Sequence, residues 1–82
     1  MRLLLVEDDP NLLNQIKNAL DEAGYSVDTA NDGEEGHFLG DTEPYDAVIL
    51  DLGLPKIDGL TVLEKWRNSK KSFPVLILTA RD

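Results

Sequence analysis

The segment Ala47-Val48-Ile49-Leu50-Asp51-Leu52-Gly53-Leu54-Pro55-Lys56-Ile57-Asp58-Gly59 holds a strand, a turn and a helix start in close succession. Its first four residues are all apolar, the pattern of a strand covered on both faces rather than one. A carboxylate, Asp51, follows directly. Pro55 and Gly59 read as turn residues, and Asp58 reads as the cap of a helix whose Leu60, Leu63 and Trp66 share one side. An apolar strand that ends on an acid and runs through a turn into a helix is a unit of a parallel α/β sheet.

The same unit recurs on either side. Leu3-Leu4-Leu5-Val6 is a second uniformly apolar run, followed by Glu7, Asp8 and Asp9. Asp9-Pro10 is a helix start, with Asp9 as N-cap and Pro10 at the first helical position. Leu12, Leu13, Ile16, Ala19 and Leu20 continue at helical spacing until Gly24 supplies the stop. Tyr25–Ala30 alternates as a strand. Gly33–Leu39 predicts a weaker helix, because Gly36 inside it costs about 1 kcal/mol against alanine. Pro44 breaks the chain before Ala47, and Pro74 introduces a last apolar strand, Val75-Leu76-Ile77-Leu78. The order β-α-β-α-β-α-β predicts a doubly wound α/β fold, since parallel neighbours need crossover connections. The pattern stops just after the last strand run, so the sequence reads as part of a larger domain.

Composition excludes several classes of function. The 82 residues suit one domain, and 16 Asp+Glu against 8 Lys+Arg give a net charge of −8. That charge argues against these residues gripping a phosphate backbone. No apolar run approaches the roughly 20 residues of a membrane span, and the start lacks a basic leader, so no membrane partner is expected. The absence of Cys fits a reducing cytoplasm and removes thiolate metal sites. The charge is also uneven: residues 1–55 carry 13 acids and only Arg2 and Lys17 as bases, whereas residues 56–82 carry three acids and six bases.

Topology gives the uneven acids a meeting place. If the strands at 3–6 and 47–50 are neighbours, Glu7, Asp8 and Asp51 all lie at carboxyl ends, beside the crevice of a topological switch point. Two unit charges about 4 Å apart repel by roughly 4 kcal/mol at an effective dielectric of 20. A hard divalent cation offsets that cost, and Mg2+ favours one or two carboxylates with waters and phosphate oxygens. Gly53 can offer a backbone carbonyl without side-chain obstruction, and Thr79 ends the last strand on the same edge. Asp9 is explained by its cap, His37 reads as surface, and Trp66 reads as helix packing.

Val6-Glu7-Asp8-Asp9, the segment Leu50–Gly59 and Leu78-Thr79-Ala80 together resemble the receiver domain of bacterial two-component response regulators. The Asp-Leu-Gly-Leu-Pro stretch is most similar to OmpR/PhoB-like regulators, which carry a C-terminal winged-helix DNA-binding domain. The resemblance implies a flavodoxin-like (receiver) fold with sheet order 2-1-3-4, truncated after the fourth strand. It implies Asp51 as phosphoacceptor from the phosphohistidine of a sensor histidine kinase, and Thr79 as switch hydroxyl. It also implies Mg2+ held by Asp8, Asp51 and the carbonyl of Gly53, with Glu7 acting through a water. Residues 1–82 would then be a partial receiver, a signalling module and not an enzyme. The family's fourth helix, fifth strand with its lysine, and fifth helix have no counterpart in it, and DNA would be reached only through a separate output domain. The uncovered fourth strand would favour self-association or element exchange.

A phosphatase of haloacid-dehalogenase type fits less well, because its general acid stands where this chain has Gly53. A flavin binder would place phosphate against Glu7-Asp8-Asp9, which repel it, and no glycine-rich nucleotide loop is present.

Overall fold

The computed structural model describes residues 1–78; Thr79, the expected switch hydroxyl, lies outside the described residues. The elements are β1 (Arg2–Val6), α1 (Pro10–Glu22), β2 (Ser26–Ala30), α2 (Gly33–Thr42), β3 (Ala47–Asp51), α3 (Gly59–Asn68) and β4 (Val75–Leu78). All pairings are parallel and the sheet runs β2-β1-β3-β4, the expected order. Among the described residues, no helix is long and apolar enough to cross a membrane.

Local chemistry sets the helix ends. Asp9 Oδ1 accepts from the amides of Asn11 (3.0 Å) and Leu12 (3.4 Å), and Pro10 opens α1. Asp32 caps α2 through the Glu35 amide at 2.8 Å, and Asp58 caps α3 through the Thr61 amide at 3.0 Å. The Thr61 amide, with the Thr61 hydroxyl behind it, holds the Asp58 carboxyl below its ordinary range. Gly24 turns the chain out of α1 at φ 95, where a side chain would be strained.

The main core lies on one face of the sheet, where Leu4, Val6, Val48 and Leu50 pack with Val62 and Trp66 of α3. Leu3 and Leu5, buried on the opposite face by the alternation of strand side chains, belong to the side covered by α1, which lies against β1 and β2. No residue of α1 is fully buried.

Several expectations need correction. α2 extends to Thr42 instead of ending at Leu39, and its glycines do not merely weaken it. A Cβ on Gly36 would sit 2.8 Å from Val6 Cγ1, and one on Gly40 would overlap the indole of Trp66, so these glycines let α2 lie close on β1 and α3. Trp66 is fully buried, ring-to-ring with Phe73 at 5.1 Å, and its Nε1 donates to the His37 carbonyl at 3.2 Å. His37 is half-buried rather than a surface residue. The inner face of α3 is Gly59, Val62 and Trp66, while Leu60 is 57% exposed. Gly59 is the first helical residue, not a turn residue, and a side chain there would overlap the Asp51 carbonyl. β2 starts at Ser26, one residue later than expected.

Candidate functional site

β1 and β3 are hydrogen-bonded neighbours, with Val6 opposite Leu50. That register brings the residues that follow to one level at the carboxyl edge. Glu7 leaves β1 with its amide bonded to the Ala30 carbonyl of β2 at 3.0 Å. Asp51 is the last residue of β3 itself. α1 departs from β1 on one face and α3 from β3 on the other, so the crevice opens between the two strands.

Glu7, Asp8 and Asp51 converge there. One carboxylate oxygen of each lies within 4.8 Å of the others. Glu7 and Asp51 are each 1% exposed, and Asp8 is half-buried. Backbone donors help to fix the rotamers: the Asp9 amide donates to Glu7 Oε2 at 2.9 Å, and the Gly53 amide to Asp51 Oδ1 at 3.1 Å. This is an all-oxygen, anionic donor set of the kind a hard divalent cation takes. Asp9 stands beside the cluster but caps α1, as its sequence context indicates.

Gly53 is exposed and lies in the β3–α3 connection, two residues after Asp51. That connection contains an element the sequence did not signal. Lys56 adopts φ 70, and its Nζ lies 3.6 Å from Asp32 Oδ2 at the start of α2. Gly33, the first residue of α2, donates its amide to the Pro55 carbonyl at 3.1 Å. Contacts between separate β–α turns leave no periodicity to read, and only the paired glycines of α2 hint at a close approach.

Comparison with known proteins gives this geometry a family. Residues 3–82 match the response regulator receiver domain model. The transcriptional regulatory protein QseB of Haemophilus influenzae is 51% identical over all 82 residues, and the chain spans 37% of its length. A solved structure of the response regulator TrrA of Thermotoga maritima, in complex with Mg(2+)-BeF, superposes with a TM-score of 0.89 at 42% identity, covering 95% of this chain and 68% of that one. TrrA in complex with the histidine kinase ThkA superposes with a TM-score of 0.86 at 42% identity, covering 95% and 67% of the two chains. With the strand order, the acidic crevice and these matches in agreement, the chain belongs to the response regulator receiver domain family.

Proposed function

We propose that this chain is the phosphoacceptor module of a two-component response regulator, and that it accepts a phosphoryl group on Asp51 from a sensor histidine kinase. The observation that carries this reading is the meeting of Glu7, Asp8 and Asp51 oxygens within 4.8 Å at the ends of β1 and β3. In the transfer, a carboxylate oxygen of Asp51 bonds to phosphorus as the phosphorus–nitrogen bond of the donor phosphohistidine breaks, and the imidazole leaves with the bond's electron pair. Phosphoryl transfer depends mainly on positioning and charge stabilisation. Burial in the strand end holds Asp51 in place, and the Gly53 amide orients its Oδ1.

Asp8, Asp51 and the Gly53 carbonyl would hold Mg2+, with Glu7 engaged through a water. When bound, the ion supplies positive charge against both the carboxylates and the phosphoryl oxygens. TrrA, solved with Mg(2+)-BeF and with its kinase ThkA, supports both the cation and the kinase partner. Thr79 would be the switch hydroxyl, as the resemblance to receiver domains implies. Control of transcription would lie in a DNA-binding region of a longer cytoplasmic protein; the name of QseB, a transcriptional regulatory protein, supports the transcriptional role. Residues 1–82 would supply the acceptor part of the receiver and act by state, not by turnover.

Carried in a receiver domain of full length, Asp51 is expected to be the one residue labelled by acetyl phosphate with Mg2+, and Asp51→Asn to abolish labelling in intact-mass measurements. Labelling elsewhere, or in Asp51→Asn, defeats the assignment.

Self-association belongs to the same proposal. Among the described residues only β3 pairs with β4, and Leu76 (63% exposed) and Ile77 (36%) expose aliphatic surface on both faces of that strand. Such an edge templates association between chains. Light scattering coupled to size exclusion is expected to show oligomers at micromolar concentration, and a monomer that melts cooperatively would refute this.

A further inference from the structure

The wall of the crevice beside Asp51 is the connection between β3 and α3, and it is tied to α2, an element with no part in the chemistry above. Its ends are fixed by Gly53 N on Asp51 Oδ1 (3.1 Å) and Gly59 N on the Leu52 carbonyl (3.0 Å). Its middle is fixed at one acceptor. The Pro55 carbonyl takes a bond from Ile57 N at 2.9 Å and another from Gly33 N of α2 at 3.1 Å. The bond from Ile57 back to Pro55 spans Lys56 at φ 70, which marks a tight three-residue turn of the strained, positive-φ kind. Such backbone persists only where its surroundings over-determine it. Here the surroundings are the first turn of α2: Gly33 lies so close that a Cβ would overlap the Ile57 carbonyl, and Asp32 pairs with Lys56 at 3.6 Å.

We propose that Gly33 is a positioning residue for the cation site: through the Pro55 carbonyl it sets where the Gly53 carbonyl lies relative to the Glu7, Asp8 and Asp51 oxygens. This rests on the Mg2+ reading above and deepens it. The peptide between Leu52 and Gly53 is held by Gly59 N and Asp51 Oδ1, so a displaced middle at Pro55 falls first on the next peptide, which carries the Gly53 carbonyl. Glu7 and Asp8 follow a different strand and stay in place. Mg2+ tolerates little departure from octahedral geometry, and groups that orient metal ligands typically account for about 10–100-fold in affinity. The connection therefore couples the β2–α2 turn to the metal.

The test is Mg2+ titration by calorimetry of wild type, Gly33→Ala and Asp8→Asn, with amide hydrogen exchange of wild type with and without Mg2+. Gly33→Ala is expected to bind Mg2+ about tenfold more weakly while folded, and Asp8→Asn to lose binding. Because coupling is reciprocal, Mg2+ is expected to slow exchange at the Gly33 and Ile57 amides. If Gly33→Ala does not fold, the wild-type exchange measurement decides. A folded Gly33→Ala with a lower melting temperature but unchanged affinity overturns the positioning role, as does a Gly33 amide indifferent to Mg2+; both leave the metal site standing. A wild type that binds no Mg2+ removes the site and the positioning role together.

Discussion

At the amino ends of the strands acids gather around Arg2, whereas at the carboxyl ends three acids converge on one crevice. The Arg2 guanidinium donates to Asp28 Oδ2 at 2.8 Å and Glu43 Oε1 at 3.0 Å, and lies 5.0 Å from the centre of the Tyr45 ring. The Tyr45 hydroxyl donates to the same Asp28 oxygen at 2.8 Å, and Asp46 exchanges hydrogen bonds with the Arg2 backbone. Those carboxylates are spread around one cation and join β1, β2 and β3 at their start. At the other edge Glu7, Asp8 and Asp51 bring oxygens within 4.8 Å of each other, and two of the three side chains are buried. One sheet thus uses the same residue type for fastening at one end and for gathering charge at the other. Acidity alone marks neither role; the neighbours of each acid do.

The largest expected effect tests that contrast directly. Mg2+ at a hundredfold excess over its dissociation constant is expected to stabilise the chain by about 2.7 kcal/mol. Asp51→Asn is expected to lose most of that response. Denaturation with and without Mg2+ measures the response. If Asp51→Asn keeps the full Mg2+ response, the carboxyl edge does not gather charge for a cation and the comparison fails.

A smaller effect asks what holds the carboxyl edge in shape. Helix propensity alone promises that Gly36→Ala gains about 0.5–1 kcal/mol. Its Cβ would meet Val6 Cγ1 at 2.8 Å, on the residue just before Glu7. Overpacking of this kind is expected to cost about 1–3 kcal/mol and to weaken the Mg2+ response with it. A stabilised Gly36→Ala with normal Mg2+ response would show that α2 does not support the edge.

This glycine also shows where the sequence was legible and where it was not. Strands 3–6, 47–50 and 75–78 are uniformly apolar, and Asp9-Pro10 and Asp58 cap their helices by local hydrogen bonds, so short-range chemistry names them. Asp8 and Asp51 were legible because each follows such a strand, and parallel topology then brings strand ends together. Gly36 reads only as a cost and Gly40 draws no reading at all, because a glycine's cost is local while its benefit is the approach of Val6 and Trp66, remote in sequence. Leu60 was misplaced for a related reason. Helical spacing identifies an apolar stripe, but the closeness of Gly59 to the Asp51 carbonyl turns Val62 inward in its stead. The ties from Gly33 to Pro55 and from Asp32 to Lys56 join two turns and leave no pattern in either. The Arg2 cluster was hidden likewise, its members scattered from β1 to the start of β3.

The smallest expected effect belongs to the amino edge and separates the two ends by pH. The hydrogen bond from Tyr45, followed by that from Arg2, holds the Asp28 carboxyl below its ordinary range. Burial, followed by the bond to Asp28, pushes the Tyr45 hydroxyl above its ordinary value. The signs follow from linkage. A depressed carboxyl contributes stability above its unfolded value, about 3.9, and that contribution is lost as pH falls below it. A raised tyrosine contributes stability below its unfolded value, about 10, and that contribution is lost as pH rises beyond it. Tyr45→Phe removes one neutral donor to a half-exposed carboxylate, so it is expected to cost about 1 kcal/mol at pH 7. It should also flatten the alkaline limb above about pH 10, reduce the acid limb of Asp28, and leave the Mg2+ response untouched, since the network lies at the far end of the strands. Urea denaturation across pH in Mg2+-free buffer, with one Mg2+ titration at pH 7, measures all four. If Tyr45→Phe weakens Mg2+ binding, the two ends of the sheet are coupled, and the separation of fastening from charge gathering does not hold.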